Sequence, residues 1–292
     1  MLPGAHITIT AREFELLRAL VYDQTGIFLR DHKRLLLSNR LMKRLRHYGL
    51  DCFMDYYEYL KSGAGAAGEF QELVNAVTTN KTGFFRESHH FDLLTQLLLR
   101  PAMQLADRGN CPRLRIWSAG CSTGEEPYSI AITAAMNLKR LAAWDLKILA
   151  SDIDTSVLEQ AQLGIYHRAV LRGLPHELVK SCFLGGAGEF AASVQVKPEI
   201  RNLVAFARIN LMQEPWPLRG KLDAIFCRNV IIYFDRPAQQ RLVERFARLL
   251  KPGGLFFAGH SESLFWLGDL LEPIGQTVYR LPARNAAGKI AP

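Results

Sequence analysis

The segment WSAGCSTGEEPYSI (117–130) sets two glycines, a hydroxyl pair and two acids immediately after a short apolar run. A glycine turn following a parallel strand lets backbone close on a ligand at the carboxyl edge of a sheet. Many strand-turn-helix joints carry glycines for steric reasons alone, so the neighbours decide. The spacing is not that of a dinucleotide site: Cys121, Ser122 and Thr123 separate Gly120 from Gly124, and Glu125 and Glu126 follow. Acids suit the N-terminus of a helix but repel a pyrophosphate. A cationic cofactor is favoured instead, and S-adenosylmethionine, with its sulfonium, ammonium and ribose diol, has that chemistry. In ASDID (150–154), Asp152 is assigned to the ribose hydroxyls and Asp154 to the cap of the next helix. Asp152 lies 32 residues beyond Gly120, against about 20 in the dinucleotide fingerprint. Two further strands close in Asn210-Leu211 and Cys227-Arg228-Asn229. Polar groups at four successive strand ends mark a site rather than packing. His89 and His90 have no third partner at metal spacing, so no metal is expected.

These residues need a sheet to hold them, and from about Arg115 the chain alternates strands and helices. The strand candidates are LRIWSAG (114–120), LKILASDID (146–154), LVAFARINL (203–211), LDAIFCRNV (222–230) and GLFFAGHSE (254–262). Helices are expected over 127–138, 156–163 and 236–254, the last stopped by Pro252 and two glycines. That grammar predicts an α/β, doubly wound, mostly parallel sheet. QTVYRL (276–281) follows a strand without a helix and is expected to add antiparallel. Gly185, Gly186 and Gly188 interrupt CFLGGAGEFAASVQVKPEI, predicting a small β-insertion at about 182–202. The stretch before the sheet reads as an all-helical N-terminal domain: Ala11 to Asp23, then a helix capped by Asp31 and closed by Gly49, then two more. The expected division is 1–75 helical, 76–284 catalytic and 285–292 a loose tail.

Of the 292 residues, 49% are hydrophobic and 22% charged, which fits a globular chain and excludes disorder and coiled coil. No uncharged apolar run approaches the ~18–20 residues that span a bilayer, and the first residues do not read as a leader. Five scattered cysteines without a CxxC pair suit a reducing cytoplasm. The net charge of +8 favours an anionic partner. Seven basic residues against the single Asp31 fall between Arg30 and Arg46. On a helical wheel Lys33, Arg40, Lys43, Arg44 and His47 share one arc opposite Leu41, Met42 and Leu45. A solvated amphipathic face is the plain reading; five positions of one sign favour docking on an acidic surface.

Several strings together resemble one family. TTNKTGFFRESHHF (78–91), SAGCSTGEEPYSIAI (118–132), ASDIDTSVLEQAQLGIY (150–166), FCRNVIIYFD (226–235), LKPGGLFFAGHSESL (250–264) and DHKRLLLSNRLMKRLR (31–46) are similar to the CheR-type chemotaxis receptor methyltransferases, in the same order, from about Ala11 to Leu281. The resemblance implies protein-glutamate O-methylation with S-adenosylmethionine, leaving S-adenosylhomocysteine. It implies that Asn80, Thr82, Arg86, Gly120, Glu126, Asp152, Asn210, Leu211, Arg228 and Asn229 bind the cofactor, and that Arg86 and Tyr233 stand nearest the transferred methyl. On residues alone, Tyr233 also reads as a core aromatic and Arg86 as a partner of Glu87. A glutamate acceptor with a pKa near ~4.3 is already ionised, so no general base is required. The resemblance implies docking of a chemoreceptor's cytoplasmic helical bundle on Lys33, Arg40, Lys43, Arg44 and Arg46, by a cytoplasmic monomer recruited to membrane-bound receptor arrays and not inserted in the membrane. In some members the β-insertion grips a receptor's C-terminal peptide beside a Gly-x-Gly turn. Gly186 and Gly188 match the turn, but Gly185 and Gln195 stand where such binders carry arginine. The rival class, a nucleic-acid methyltransferase, suits the basic pI. Asn229 to Tyr233 lacks the two prolines of the base-amine methylase box, so no nucleic-acid partner is expected. A non-catalytic cofactor-sensing adaptor is the remaining alternative.

Overall fold

A computed structural model describes residues 7–63, 66–106 and 113–283; the tail expected at 285–292 lies outside the described residues. Four helices open the chain: α1 (Ala11–Thr25), α2 (Arg34–Tyr48), α3 (Phe53–Lys61) and α4 (Ala66–Val77). Thr10 and Glu13 cap α1 reciprocally, and Glu13 Oε1 also accepts the Met54 amide at 2.9 Å, tying α1 to α3. Phe14, Leu17, Val21, Leu37, Leu41, Leu45, Phe53 and Tyr56 form the shared core. Asp31 does not cap α2 as expected. A short 3₁₀ turn, Asp31–Lys33, precedes that helix, and the Asp31 carboxylate instead accepts from Arg18 Nη1 at 2.8 Å.

Inside this domain Glu69 is 2% exposed and accepts from Arg44 Nε (2.9 Å), Tyr48 (2.9 Å) and Tyr56 (2.6 Å). Burial alone would push its carboxyl up; Arg44 and the two tyrosines outweigh it and hold it low. Arg44→Ala would leave this buried carboxylate without its counter-ion, at a cost of about 2–3 kcal/mol. Urea unfolding of the full chain checks this, and a midpoint equal to that of the parent chain would contradict it.

Two short helices, α5 (His89–Leu94) and α6 (Arg100–Ala106), flank a π-helical turn and lead into the sheet. Its units follow in order: β1 (Arg113–Ala119), α7 (Glu125–Asn137), β2 (Asp145–Asp152), α8 (Thr155–Leu163), β3 (Ile165–His167), α9 (His176–Cys182), β4 (Phe183–Gly185), β5 (Ser193–Val196), α10 (Pro198–Arg201), β6 (Val204–Arg208), β7 (Leu222–Cys227), α11 (Arg236–Leu249), β8 (Leu250–Ala258), β9 (Glu272–Gly275) and β10 (Val278–Arg280). The large sheet runs β6-β2-β1-β7-β8-β10-β9, its first five strands parallel. Alternate residues face opposite layers: Ile116 and Phe226 pack with α7, Trp117 and Ile225 with α11. The chain leaves β1 toward β2 and β6, then returns to β7 on the other side. The crevice at such a reversal is where open α/β sheets bind ligands.

QTVYRL does contribute an antiparallel strand, β10. Helix α11 stops at Leu249 rather than 254, because the residue before a proline resists the helical conformation and Leu250 already pairs with Leu222 in β8. Strands β4 and β5 form the hairpin read from the glycine cluster, and β3 joins them in a sheet ordered β3-β5-β4. This small sheet packs against the site: Tyr166 donates to Thr123 O at 2.8 Å, and Phe84 meets Tyr166 and Phe183 edge-on.

Candidate active site

A cavity of about 330 Å³ opens at the carboxyl ends of the parallel strands, roofed by the α1–α2 connection. Asn80, Thr82, Arg86, Gly120, Glu126, Asp152, Asn210, Leu211, Arg228, Asn229 and Tyr233 all line it, and Lys33 reaches it from the helical domain. The glycine turn is obligatory. Gly120 has φ +84°, and a Cβ there would stand 2.3 Å from Val230 Cγ2. Its amide and that of Cys121 donate to Ser151 O at 2.7 and 2.9 Å, locking the turn to the end of β2.

Two buried acids form the floor. Asp152 accepts the Ser122 amide on Oδ2 (2.8 Å) and the Asp154 amide on Oδ1 (3.0 Å). A carboxylate has about four lone-pair sites, so each oxygen keeps one for a hydroxyl pair such as a ribose diol. Asp154 caps α8 through Ser156 and Val157 and also accepts from Thr78 and Asn80. Glu126 accepts from Ser118 Oγ at 2.7 Å and faces Arg228 Nη1 at 3.1 Å. These residues fit a sulfonium cofactor: a cavity of ligand size, a backbone turn with no side chain, and acids with unused lone pairs.

Burial pushes the Glu126 and Asp152 carboxyls up from their ordinary values. A cation beside them favours the ionised forms, so binding draws off protons. Affinity for S-adenosylmethionine should be full above the raised carboxyl range and fall as pH drops through it. The product thioether, one positive charge poorer, should lose less. Calorimetric titration of both ligands against pH checks this; parallel slopes would contradict it.

Arg228 is 6% exposed, and both of its terminal nitrogens are engaged within the protein while Nε is buried without a partner. It pairs with Glu126, with Glu87 at 2.9 Å, and donates to Arg86 O. Its charge therefore staples the TTNKTGFFRES loop to the strand ends. Because Glu87 turns to Arg228, Arg86 is not its partner: Arg86 is exposed at the cavity and donates one hydrogen bond, to Lys81 O at 2.9 Å. Tyr233 ends a 3₁₀ turn and is not core; among the described residues its hydroxyl has no hydrogen-bond partner. Asn80 and Asn210 line the cavity with amides already engaged, Asn80 on Asp154 Oδ2 at 2.7 Å and Asn210 on Gln24 O at 2.7 Å.

The helical domain is part of the site. Phe28 N donates to Tyr233 O at 2.8 Å, and Tyr22 donates to Asp235, which caps α11. Phe28, Arg30, His32 and Ile232 also line the cavity, and residue types alone gave no sign of it. The expected docking face divides. Arg40 donates to Ala76 O (2.9 Å) and Thr78 O, closing α4, and Arg44 is held by Glu69. Arg44 is thus neutralised by an acid, whereas Arg40 is anchored through Nη1 to carbonyls and keeps its charge, half-buried. Lys43, Arg46 and His47 are exposed, as is Arg34, which the wheel did not single out. His90 is buried and its Nε2–H donates to Gln276 O at 2.9 Å, its pKa lowered to about 4 by burial and Arg228. Among the described residues, no group of three His, Cys, Asp or Glu could hold a metal.

The CheR methyltransferase all-alpha domain matches residues 12–78, and the CheR methyltransferase SAM-binding domain matches residues 80–280. "Chemotaxis protein methyltransferase 2" of Pseudomonas aeruginosa is 48% identical over 272 residues, covering 92% of this chain and 93% of that protein. "Chemotaxis protein methyltransferase" of Escherichia coli is 44% identical over 275 residues (94% and 92%), and that of Salmonella typhimurium 44% over 280 (96% and 93%). The nucleic-acid alternative draws no support from these relatives. With a buried acid pair at a sheet's carboxyl edge and both family domains matched end to end, the chain belongs to the CheR methyltransferases, enzymes dependent on S-adenosylmethionine.

Proposed function

We propose that this chain esterifies glutamate side chains on the cytoplasmic helical bundles of chemoreceptors. The observation that carries the proposal is the cavity's polarity: buried acids Glu126 and Asp152 at its floor, and Arg86 with Tyr233 and Lys33 toward the protein surface. When bound, S-adenosylmethionine supplies an electrophilic methyl on a sulfonium. Gly120 and Asp152 hold its nucleoside end and Glu126 its ammonium. Arg86 has four of its five donors unused, enough to orient an arriving carboxylate. The acceptor is already an anion at neutral pH, so Tyr233 contributes direction rather than proton removal. The dry pocket disfavours separated opposite charges more than the transition state in which they are neutralised.

The bundle's acidic face meets the exposed charges of α2, Lys43 and Arg46, with Lys33 and Arg34 at the helix start. Lys43→Glu with Arg46→Glu should raise KM for a receptor cytoplasmic fragment about tenfold and flatten its salt dependence, with cofactor affinity unchanged. Unaltered KM would remove α2 from docking. The small sheet is assigned to buttressing the glycine turn through Tyr166 rather than to peptide capture, since Gln195 is engaged with Leu163 O at 3.1 Å. The decisive experiment supplies methyl-labelled cofactor with either receptor fragment or RNA. Alkali-labile label on the receptor supports the proposal; stable label on RNA, or no transfer to either, overturns it.

A further inference from the structure

The loop that carries Asn229 and Tyr233 into the cavity has a conformation its own residues do not enforce. Asn229 sits at φ +60°, a left-handed backbone that a non-glycine residue seldom adopts, and a single 3₁₀ turn follows at Ile231–Tyr233. Two side chains from elsewhere bind this loop's backbone: Gln239 Nε2 donates to the Ile231 and Phe234 carbonyls, both at 3.1 Å, and Glu262 takes the amides. Glu262, four residues beyond β8 and 4% exposed, accepts the Asn229 amide on Oε2 at 2.7 Å and the Ile232 amide on Oε1 at 3.2 Å. Its Oε2 also accepts the amide of Gly259 at 2.6 Å, fixing the carboxylate to its own turn. The two loops interlock without slack: a Cβ on Gly259 would lie 2.5 Å from Asn229 Nδ2 and 2.9 Å from Asn229 N.

We propose that Glu262 is a positioning residue for methyl transfer: one carboxylate clamps the left-handed Asn229 and the Tyr233 turn in register, and so sets where the Tyr233 hydroxyl points. The inference rests on the reading that Tyr233 acts at the reacting end. The clamp works only through backbone amides, since Glu262 does not line the cavity. Its three donors divide two to one between the oxygens. In Glu262→Gln, the amide oxygen satisfies the pair on Oε2, leaving its NH₂ to oppose the Ile232 N–H. The Tyr233 turn is thereby loosened while Asn229 stays held. The substitution is selective by construction.

The test uses the full chain, with the binding-competent fraction counted by titration with S-adenosylhomocysteine so that kcat refers to folded sites. E262Q should lower kcat about tenfold or more while KM for the cofactor moves less than about threefold. E262D, which keeps the charge but is one methylene shorter, should recover part of that loss. In a Tyr233→Phe background E262Q should cost little more, because the hydroxyl it aims is gone. An unchanged kcat per competent site in both E262Q and E262D overturns the proposal, as does a loss that multiplies independently with Y233F. A normal kcat for Y233F beside a depressed kcat for E262Q removes the Tyr233 reading instead, and with it this route of action. Should E262Q yield no competent sites, E262D carries the same comparison.

Discussion

Arg86→Ala should lower turnover by about two to three orders of magnitude, and Tyr233→Phe by one to two, with cofactor affinity changed less than about threefold in each. The asymmetry follows from where their partners are. Arg86 spends one donor on Lys81 O and leaves the rest at the cavity, while the acid paired with it in sequence, Glu87, is drawn off by Arg228. Removing the guanidinium therefore breaks little inside the protein and takes away a planar cation at the mouth, where the point charges of Lys33 and Lys81 cannot supply the same fork. The Tyr233 hydroxyl has no hydrogen-bond partner among the described residues, so deleting it forfeits no internal bond and Tm should hold. In the proposed arrangement cofactor binding rests on Asp152, Glu126 and the Gly120 turn, whose internal bonds neither substitution touches. Arg86→Lys discriminates further: a point charge keeps the attraction but loses the planar fork, so it should recover only part of the rate. Single-turnover measurements beside calorimetric Kd values check the split. Equal losses in rate and affinity would return both residues to cofactor binding.

The strand ends were legible because a parallel strand covered on both faces reads as an apolar run, and the polar residues closing it stand out: Asp152, Asn210, and Arg228 with Asn229. Side-chain partners were not legible, because they come from remote parts of the chain. Arg44 shares an arc with Lys43, and a helical wheel cannot show that Glu69, 25 residues on, waits for one and not the other. Asn210 was visible as a polar strand end, yet its partner carbonyl belongs to Gln24, 186 residues away. Strand β3 is three residues long, too short for alternation to register, so the small sheet read as a hairpin. Glu262 was in plain view within GHSESL, but the donors it serves are backbone amides 30 and 33 residues upstream.

The roof over the cavity gives docking and chemistry a common element. The tip of α1 and the chain that follows grip the catalytic loops at Gln24 O, Phe28 N and Tyr22. Lys33, at the start of the basic helix, lines the same cavity. A receptor helix docked on α2, as proposed, would lie on the element continuous with the segment whose backbone holds the Tyr233 carbonyl. Separating the domains would cost the cofactor site its roof, not merely its docking arm.

Asp152→Ala should all but abolish cofactor binding, weakening it by about two to three orders of magnitude, or 3–4 kcal/mol. The carboxylate does two things that no neighbour can take over. It accepts the Ser122 and Asp154 amides, holding the glycine turn against the end of β2, and it retains a lone pair on each oxygen toward the cavity. Alanine strands two buried amides and removes both remaining acceptors. Asparagine separates these roles: its carbonyl keeps one amide, its NH₂ opposes the other, and one ribose-facing acceptor is lost, so it should fall between alanine and the parent. Asp154 cannot substitute, because its oxygens are consumed by the α8 cap, Thr78 and Asn80. A thermal-shift series reads the effect directly, since a ligand bound only by the folded state stabilises it by RT ln(1 + [L]/Kd). The parent should rise in Tm with S-adenosylhomocysteine and the alanine variant should stay flat at the same concentrations. A parallel rise in both would place the nucleoside elsewhere and dissolve the assignment of the strand ends to the cofactor.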